Sequence, residues 1–273
     1  MQNNVVLPCW LDSLIYDKMG AQYCPTNGDL TAIDWDKTKV LNYLGTYFPR
    51  SYTESVCIFR DLFSRTSTFS DCEELSILDF GSGTGGEIIG LLTALTEHRR
   101  TLKKVMIKAL DGNLHALRTY EKVLSEFSTH THLEVCSKIS PVKIDDIYDL
   151  GILKTVINQN YDIIISFKAV CEFVTKQQFE QKNAYQYLAG FLINKIKDKG
   201  IMLLVDVSSY NNVSQQWLPD MMDKGLMAAG CNVTYRNDGN NYPFYVTHSQ
   251  HIRDISKVAW RLIRKTSTYK FTK

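Results

Sequence analysis

The chain has 273 residues, 44% apolar and 22% charged, and a net charge of +2. This fits a globular α/β domain with one added segment and excludes a global positive field that would by itself draw nucleic acid. Seven cysteines without a Cys-x-x-Cys pair argue against a disulfide scaffold or a zinc site and fit reduced, mostly buried thiols in a cytoplasmic protein. No apolar run reaches transmembrane length, and Met1 to Trp10 lack the basic start and apolar stretch of a signal peptide, so no membrane contact is expected.

Residues 1–70 read as a helical segment set before the main domain, which spans 71–273. Trp10, Leu11, Leu14, Ile15 and Met19 recur at helical spacing, with Gly20 as a stop. The stretch from Cys24 to Asp29 is turn chemistry. Asp36 to Phe48 predicts a helix that breaks at Pro49, and Tyr52 to Phe63 predicts a second one. Between them Tyr47-Phe48-Pro49-Arg50-Ser51-Tyr52 is either a lid over the site or packing with one surface charge. Ser64 to Ser70 reads as the loop into the core domain.

From Ser76 strands and helices alternate, which predicts a mostly parallel sheet with helices on both faces. The first strand, Ser76–Phe80, ends in Asp79 and runs into Gly81-Ser82-Gly83-Thr84-Gly85-Gly86, with a helix over Gly85–Glu97. Such a turn lets backbone N–H groups face a ligand with no side chain in the way. Gly81, Gly83 and Gly86 also satisfy the dinucleotide pattern Gly-x-Gly-x-x-Gly. Asp79 and Gly85 tip the reading towards S-adenosylmethionine (SAM), since a carboxylate at the strand end meets the cationic amino group of a methionine moiety. His98, Arg99, Arg100, Lys103 and Lys104 then suit a solvated helix end.

The second strand, Val105–Leu110, ends at Asp111-Gly112-Asn113, further from the glycine turn than the usual ~20 residues. Asp111 fits the ribose hydroxyls of an adenosyl group, or else the N-cap of the helix carrying Leu114, Leu117, Tyr120 and Leu124. A third strand lies at 133–136 or 142–146, where Asp145 or Asp146 is either a helix N-terminal acid or, as a resemblance to the SAM-dependent methyltransferase pattern implies, an adenine acceptor. Tyr161–Phe167, which contains Ser166, is a continuous apolar run suited to a central strand. Lys168 and Glu172 follow it as the polar groups best placed to reach an acceptor, against local pairing or solvation as the alternative.

Gln177–Lys197 predicts a long helix closed by Lys199-Gly200, followed by a strand at Ile201–Val207 and a polar turn over Ser208–Asn212. A helix at Ser214–Ala229, a strand at Cys231–Tyr235, a turn at Asn237–Asn241 and a last strand at Lys257–Arg264 complete the chain. His248 and His251 offer a base late in the sequence, or are structural.

The Asp-x-Gly-x-Gly-x-Gly spelling at Asp79–Gly85, with Asp111 and the hairpin-like ending, resembles the class I SAM-dependent methyltransferases over residues 75–265. The resemblance implies a Rossmann-like class I methyltransferase fold: a mostly parallel seven-stranded sheet with a C-terminal antiparallel hairpin strand, here preceded by the helical segment. It implies SAM as cofactor, held by Asp79, Gly81, Ser82, Gly83, Gly85, Asp111, Gly112, Asn113, Asp145 and Ser166, with Lys168 and Glu172 as catalytic candidates. The acceptor is left open, with RNA or protein ahead of a small molecule, and a protein partner through the N-terminal helices is expected. A catalytically silent SAM-binding subunit is the alternative. The aromatic-Pro turn is also similar to that of ribosome-associated methyltransferase-like proteins of the mitochondrial small subunit. The cysteine cluster of that family is absent, since 208–250 holds only Cys231. No Asn/Asp-Pro-Pro-aromatic motif follows Phe167, which argues against methylation of exocyclic base amines.

Overall fold

The computed structural model describes residues 3–25, 35–144, 146–173, 183–211, 215–240 and 242–265. Asp145, residues 177–182 of the long expected helix, and parts of the turns expected at 24–29, 208–212 and 237–241 lie outside them. A seven-stranded sheet forms the centre. Its strands are β2 (Glu74–Phe80), β3 (Lys104–Asp111), β4 (Glu134–Pro141), β5 (Tyr161–Phe167), β6 (Ile196–Val207), β9 (Asn232–Asn237) and β12 (Val258–Arg264). Their order across the sheet is β4-β3-β2-β5-β6-β12-β9. The first five are parallel, and β12 runs antiparallel to both of its neighbours. This is the mostly parallel sheet with an antiparallel C-terminal strand that the sequence predicts. A two-strand ribbon, β7 (Tyr210–Asn211) and β8 (Gln216–Trp217), follows β6.

Apolar side chains pack on both sheet faces, as parallel strands require. One core joins the sheet to α2 (Lys37–Arg65), α3 (Gly86–His98) and α4 (Leu114–Ser128). The other joins it to α5 (Gly151–Val156), α7 (Ala184–Leu192) and α8 (Leu218–Ala228). The short α6 (Val170–Phe173) lies just beyond β5. The third strand runs Glu134–Pro141, starting within the first expected position and ending just before the second. The expected helix to Lys197 ends early: α7 closes at Leu192 in a 3-10 turn, and Ile196 already pairs with Tyr161. Lys199 has a left-handed backbone, and the pairing resumes at Ile163 with Ile201, so residues 197–200 bulge from the strand.

The largest departure from the sequence expectation is α2. One helix runs from its N-cap Asp36, which accepts from the Lys39 N–H at 2.9 Å, through Pro49 to Arg65. Proline lacks the N–H that would bond the Gly45 carbonyl four residues back. The Tyr16 hydroxyl donates to that carbonyl instead, at 2.6 Å, and lies 2.9 Å from His248 Nδ1, which donates to it in turn. Tyr16 comes from the π-helical turn Leu14–Lys18 that continues α1 (Cys9–Ser13), where a single α-helix to Met19 is expected. His248 comes from a second, smaller sheet, β1 (Asn4–Val6), β10 (Phe244–His248) and β11 (His251–Ser256), formed by the two ends of the chain.

The helix α2 crosses α3 at very short range. A Cβ at Gly86 would lie 2.5 Å from the Phe48 carbonyl oxygen, and one at Gly90 would lie 2.5 Å from that of Tyr52. These two glycines serve helix contact. Only Cys57 of the seven thiols is buried, and Cys9, Cys24 and Cys136 are exposed, which corrects the expectation of mostly buried cysteines.

Candidate active site

The site lies at the C-terminal ends of β2, β3 and β5. Gly81, Gly83 and Gly85 all have positive φ, at 71°, 46° and 88°, a conformation that glycine adopts without steric cost. The loop is anchored on the neighbouring strand, where the Leu110 carbonyl accepts from the Gly81 and Ser82 N–H groups at 2.9 and 3.0 Å. Gly85 could not carry a side chain: its Cβ would stand 2.6 Å from the Tyr120 ring.

Asp111 closes the loop from the β3 side. One carboxylate oxygen accepts from Gly83 N–H and the other from Asn113 N–H, both at 2.8 Å. Its role as N-cap of α4 is excluded, because Asn113 is the cap, accepting from His115 and Ala116 N–H at 2.9 and 3.0 Å. Asn113 Nδ2 donates to the Trp35 carbonyl at 3.0 Å, so this predicted cofactor residue spends its side chain on structure.

Asp79 is the group with no explanation in the protein. It is 0% exposed, and neither carboxylate oxygen makes a hydrogen bond among the described residues. Burial raises its pKa well above the usual carboxylate range, and the nearby charge of Asp111 raises it further; the facing Tyr120 hydroxyl opposes the shift. Two further buried atoms near the strand ends, Ser82 Oγ and Ser166 Oγ, also lack hydrogen-bond partners among the described residues. An unsatisfied buried acid is costly, so a ligand bearing a cation fits this position.

A narrow cleft of about 10 Å³ opens beside the loop, lined by Gly81 to Thr84, Gly86, Tyr43, Phe48, Ser51, Glu87 and Phe167. Tyr43 comes within 3.7 Å of the place a Gly83 Cβ would take. Trp35, Tyr43 and Tyr47 follow one another at ring separations of 5.3 and 5.0 Å, so α2 roofs the loop with aromatic rings. Within the expected lid stretch, Phe48 and Ser51 reach the cleft and Tyr52 packs in the core. Arg50 makes a bidentate pair with Asp254 at 2.7 Å. The sequence reading missed Tyr43 and Glu87; the only signal for Glu87 was an acid in the first turn after a glycine loop.

Lys168 does not line this cleft. Its backbone is left-handed, with φ of 54°, and its ammonium sits 2.9 Å from Glu54 of α2, which is 0% exposed. Ser256 Oγ donates to the same carboxylate at 2.5 Å. The alternative of a solvated lysine is excluded, and its reach towards an acceptor is restrained by that ion pair. Glu172 belongs to α6, and its side chain lies outside the described residues. Asp146 accepts from Tyr148 N–H at 2.8 Å, as a turn acid. His248 is buried against the Tyr16 ring, and burial lowers its pKa.

Neither a family model nor a curated protein matches the chain. Among solved structures, it is similar to magnesium protoporphyrin IX methyltransferase from Synechocystis, at 12% identity and a TM-score of 0.47, covering 93% of this chain and 89% of that one. It is similar to a putative RNA methyltransferase from Pyrococcus horikoshii, at 13% identity and 0.48, covering 97% and 100%. An O-methyltransferase family protein from Burkholderia thailandensis gives 10% and 0.49, covering 95% and 69%. At these values the likeness carries no argument of its own. The strand order and the antiparallel β12 give the chain the Rossmann-like fold of the class I methyltransferases.

Proposed function

We propose that the chain is a SAM-dependent methyltransferase. The carrying observation is Asp79, a fully buried carboxylate without a hydrogen bond among the described residues, beneath a left-handed glycine loop. In this reading Asp79 takes the amino group of the methionine moiety, and Asp111 takes the ribose hydroxyls. The backbone of Gly81 to Gly85, with Gly112, lets the nucleoside approach closely, and the free hydroxyls of Ser82 and Ser166 complete the cradle. Asp145 is proposed for the adenine amino group. SAM supplies an activated methyl bound to a sulfonium, and the protein's part is to hold an acceptor in line with it and to exclude water. Tyr43 and the rest of the α2 roof suit that last task, so we treat residues 1–70 as a cap on a catalytic domain of 71–273. Lys168, tethered by Glu54, and Glu172 stay the proposed acceptor-side groups.

The electrostatics disfavour a dinucleotide. A pyrophosphate would sit on the N-terminal turn of α3, where the acid Glu87 lines the cleft and feels the charge of Asp79. Seven free thiols, three of them exposed, support a reducing cytoplasmic setting, and among the described residues no helix is long and apolar enough to cross a membrane. RNA or protein remains the acceptor class put ahead of small molecules, with a protein partner on the N-terminal helices. The rival is a SAM-binding subunit without turnover, and labelled-methyl transfer into fractionated extract separates the two. Calorimetric titration is the first test: SAM and S-adenosylhomocysteine bind, NAD does not, and Asp111→Ala weakens both nucleosides at least tenfold. No heat from SAM at millimolar concentration overturns the reading.

A further inference from the structure

We infer that Glu87 faces the transferring methyl and selects an acceptor of one chemical class, a basic aliphatic amine. This rests on the SAM reading and adds the acceptor to it. Glu87 is 5% exposed, sits in the first turn of α3 and lines the same cleft as Phe167 at the end of β5. Its backbone carbonyl accepts from Ser55 Oγ at 2.6 Å, which fixes that turn against α2.

The charges around it are unequal. Asp79, Glu87 and Glu54 are buried carboxylates, and the cation acting among them is Lys168. Lys168 is committed to Glu54 at 2.9 Å, and Asp79 is matched by the amino group of the cofactor. Glu87 is left without a cation of its own among the described residues. An anionic acceptor entering here would meet like charge. An amine does the reverse, because positive charge moves onto it as it reacts. A basic amine arrives as an ammonium and must shed a proton before it reacts; the freed lone pair then forms the N–C bond, the S–C pair returns to sulfur as a thioether, and the charge passes from sulfur to nitrogen. The proton that the amine sheds goes to Glu87 and then to solvent. Burial, then the charge of Asp79, raises the pKa of Glu87 well above the usual carboxylate range, so its hold on a proton is tighter than that of an exposed acid.

The test needs no acceptor. Sinefungin carries an amine where SAM carries its methylsulfonium, and S-adenosylhomocysteine carries a neutral thioether there. Calorimetry on the full chain should give at least tenfold tighter binding of sinefungin. It should also show a proton released on binding sinefungin beyond that released with S-adenosylhomocysteine, read from titrations in two buffers of different ionisation enthalpy. In Glu87→Gln both differences vanish, while S-adenosylhomocysteine binds within about twofold of the parent. Equal affinities in the parent chain, or a preference that survives in Glu87→Gln, overturns the inference. If neither nucleoside binds, it is the SAM reading that fails.

Discussion

Asp79 on β2 and Asp206 on β6 occupy the same place in their strands, one residue before the end, and are 0% and 1% exposed. Asp206 accepts from the Tyr185 hydroxyl at 2.8 Å, from Cys171 N–H at 3.1 Å and from Val207 N–H at 2.8 Å. Asp79 accepts from none among the described residues. Burial raises both pKa values; at Asp206 hydrogen bonds push back from several sides, whereas at Asp79 the Tyr120 hydroxyl alone does so. Position in the fold is therefore no guide to role here. The satisfied acid is a fastener, and the unsatisfied one is the position we propose for a ligand's charge.

Each half of that contrast can be broken separately. Asp206→Ala strands Tyr185 and two N–H groups, and should cost about 3 kcal/mol in urea denaturation while moving SAM affinity less than threefold. Asp79→Asn should act the other way, weakening SAM about a hundredfold, or ~2.7 kcal/mol by calorimetry, and raising the Tm of the ligand-free protein. A loss of Tm in Asp79→Asn would mean the carboxylate is structural after all. Tyr185→Phe removes a made hydrogen bond and should cost about 1 kcal/mol, whereas Tyr120→Phe removes the hydroxyl that faces Asp79 and should raise the Asp79 pKa further.

The smallest effect is on pH. Asp79 binds its proton more tightly folded than unfolded, so the ligand-free protein loses stability as pH rises from the ordinary carboxylate range through the raised pKa. Asp79→Asn should flatten that part of a stability-against-pH curve, and SAM affinity should rise with pH over the same window. An identical slope in parent and variant would place the titration elsewhere.

How much of this the sequence discloses depends on range. The glycine loop, Asp79, Asp111 and β5 are legible because strand, turn and helix follow one another within a few residues. Asp206 was not singled out, since its fastening depends on Tyr185 and Cys171, brought in by other elements. Pro49 misleads for the same reason: a proline ends a helix unless something caps the orphaned carbonyl, and Tyr16 and His248 are remote in sequence. Tyr43 reads as one more apolar helix position until α2 is laid over Gly83. Glu87 stayed out of sight because charge imbalance is a property of a cluster, visible only after the chain is folded.

The proline cap sets a calendar for synthesis. Tyr16 leaves the ribosome 232 residues before His248, and the β10 strand that pairs in parallel with Asn4–Val6 is as far behind. At ordinary elongation rates the gap is tens of seconds. For that interval β1 has no strand beside it, the Tyr16 cap on the Gly45 carbonyl lacks its second support, and Glu54 waits for Ser256. The glycine loop and the first five sheet strands can form before then, but the roof over them settles last, so a nascent chain carries its glycine loop uncovered.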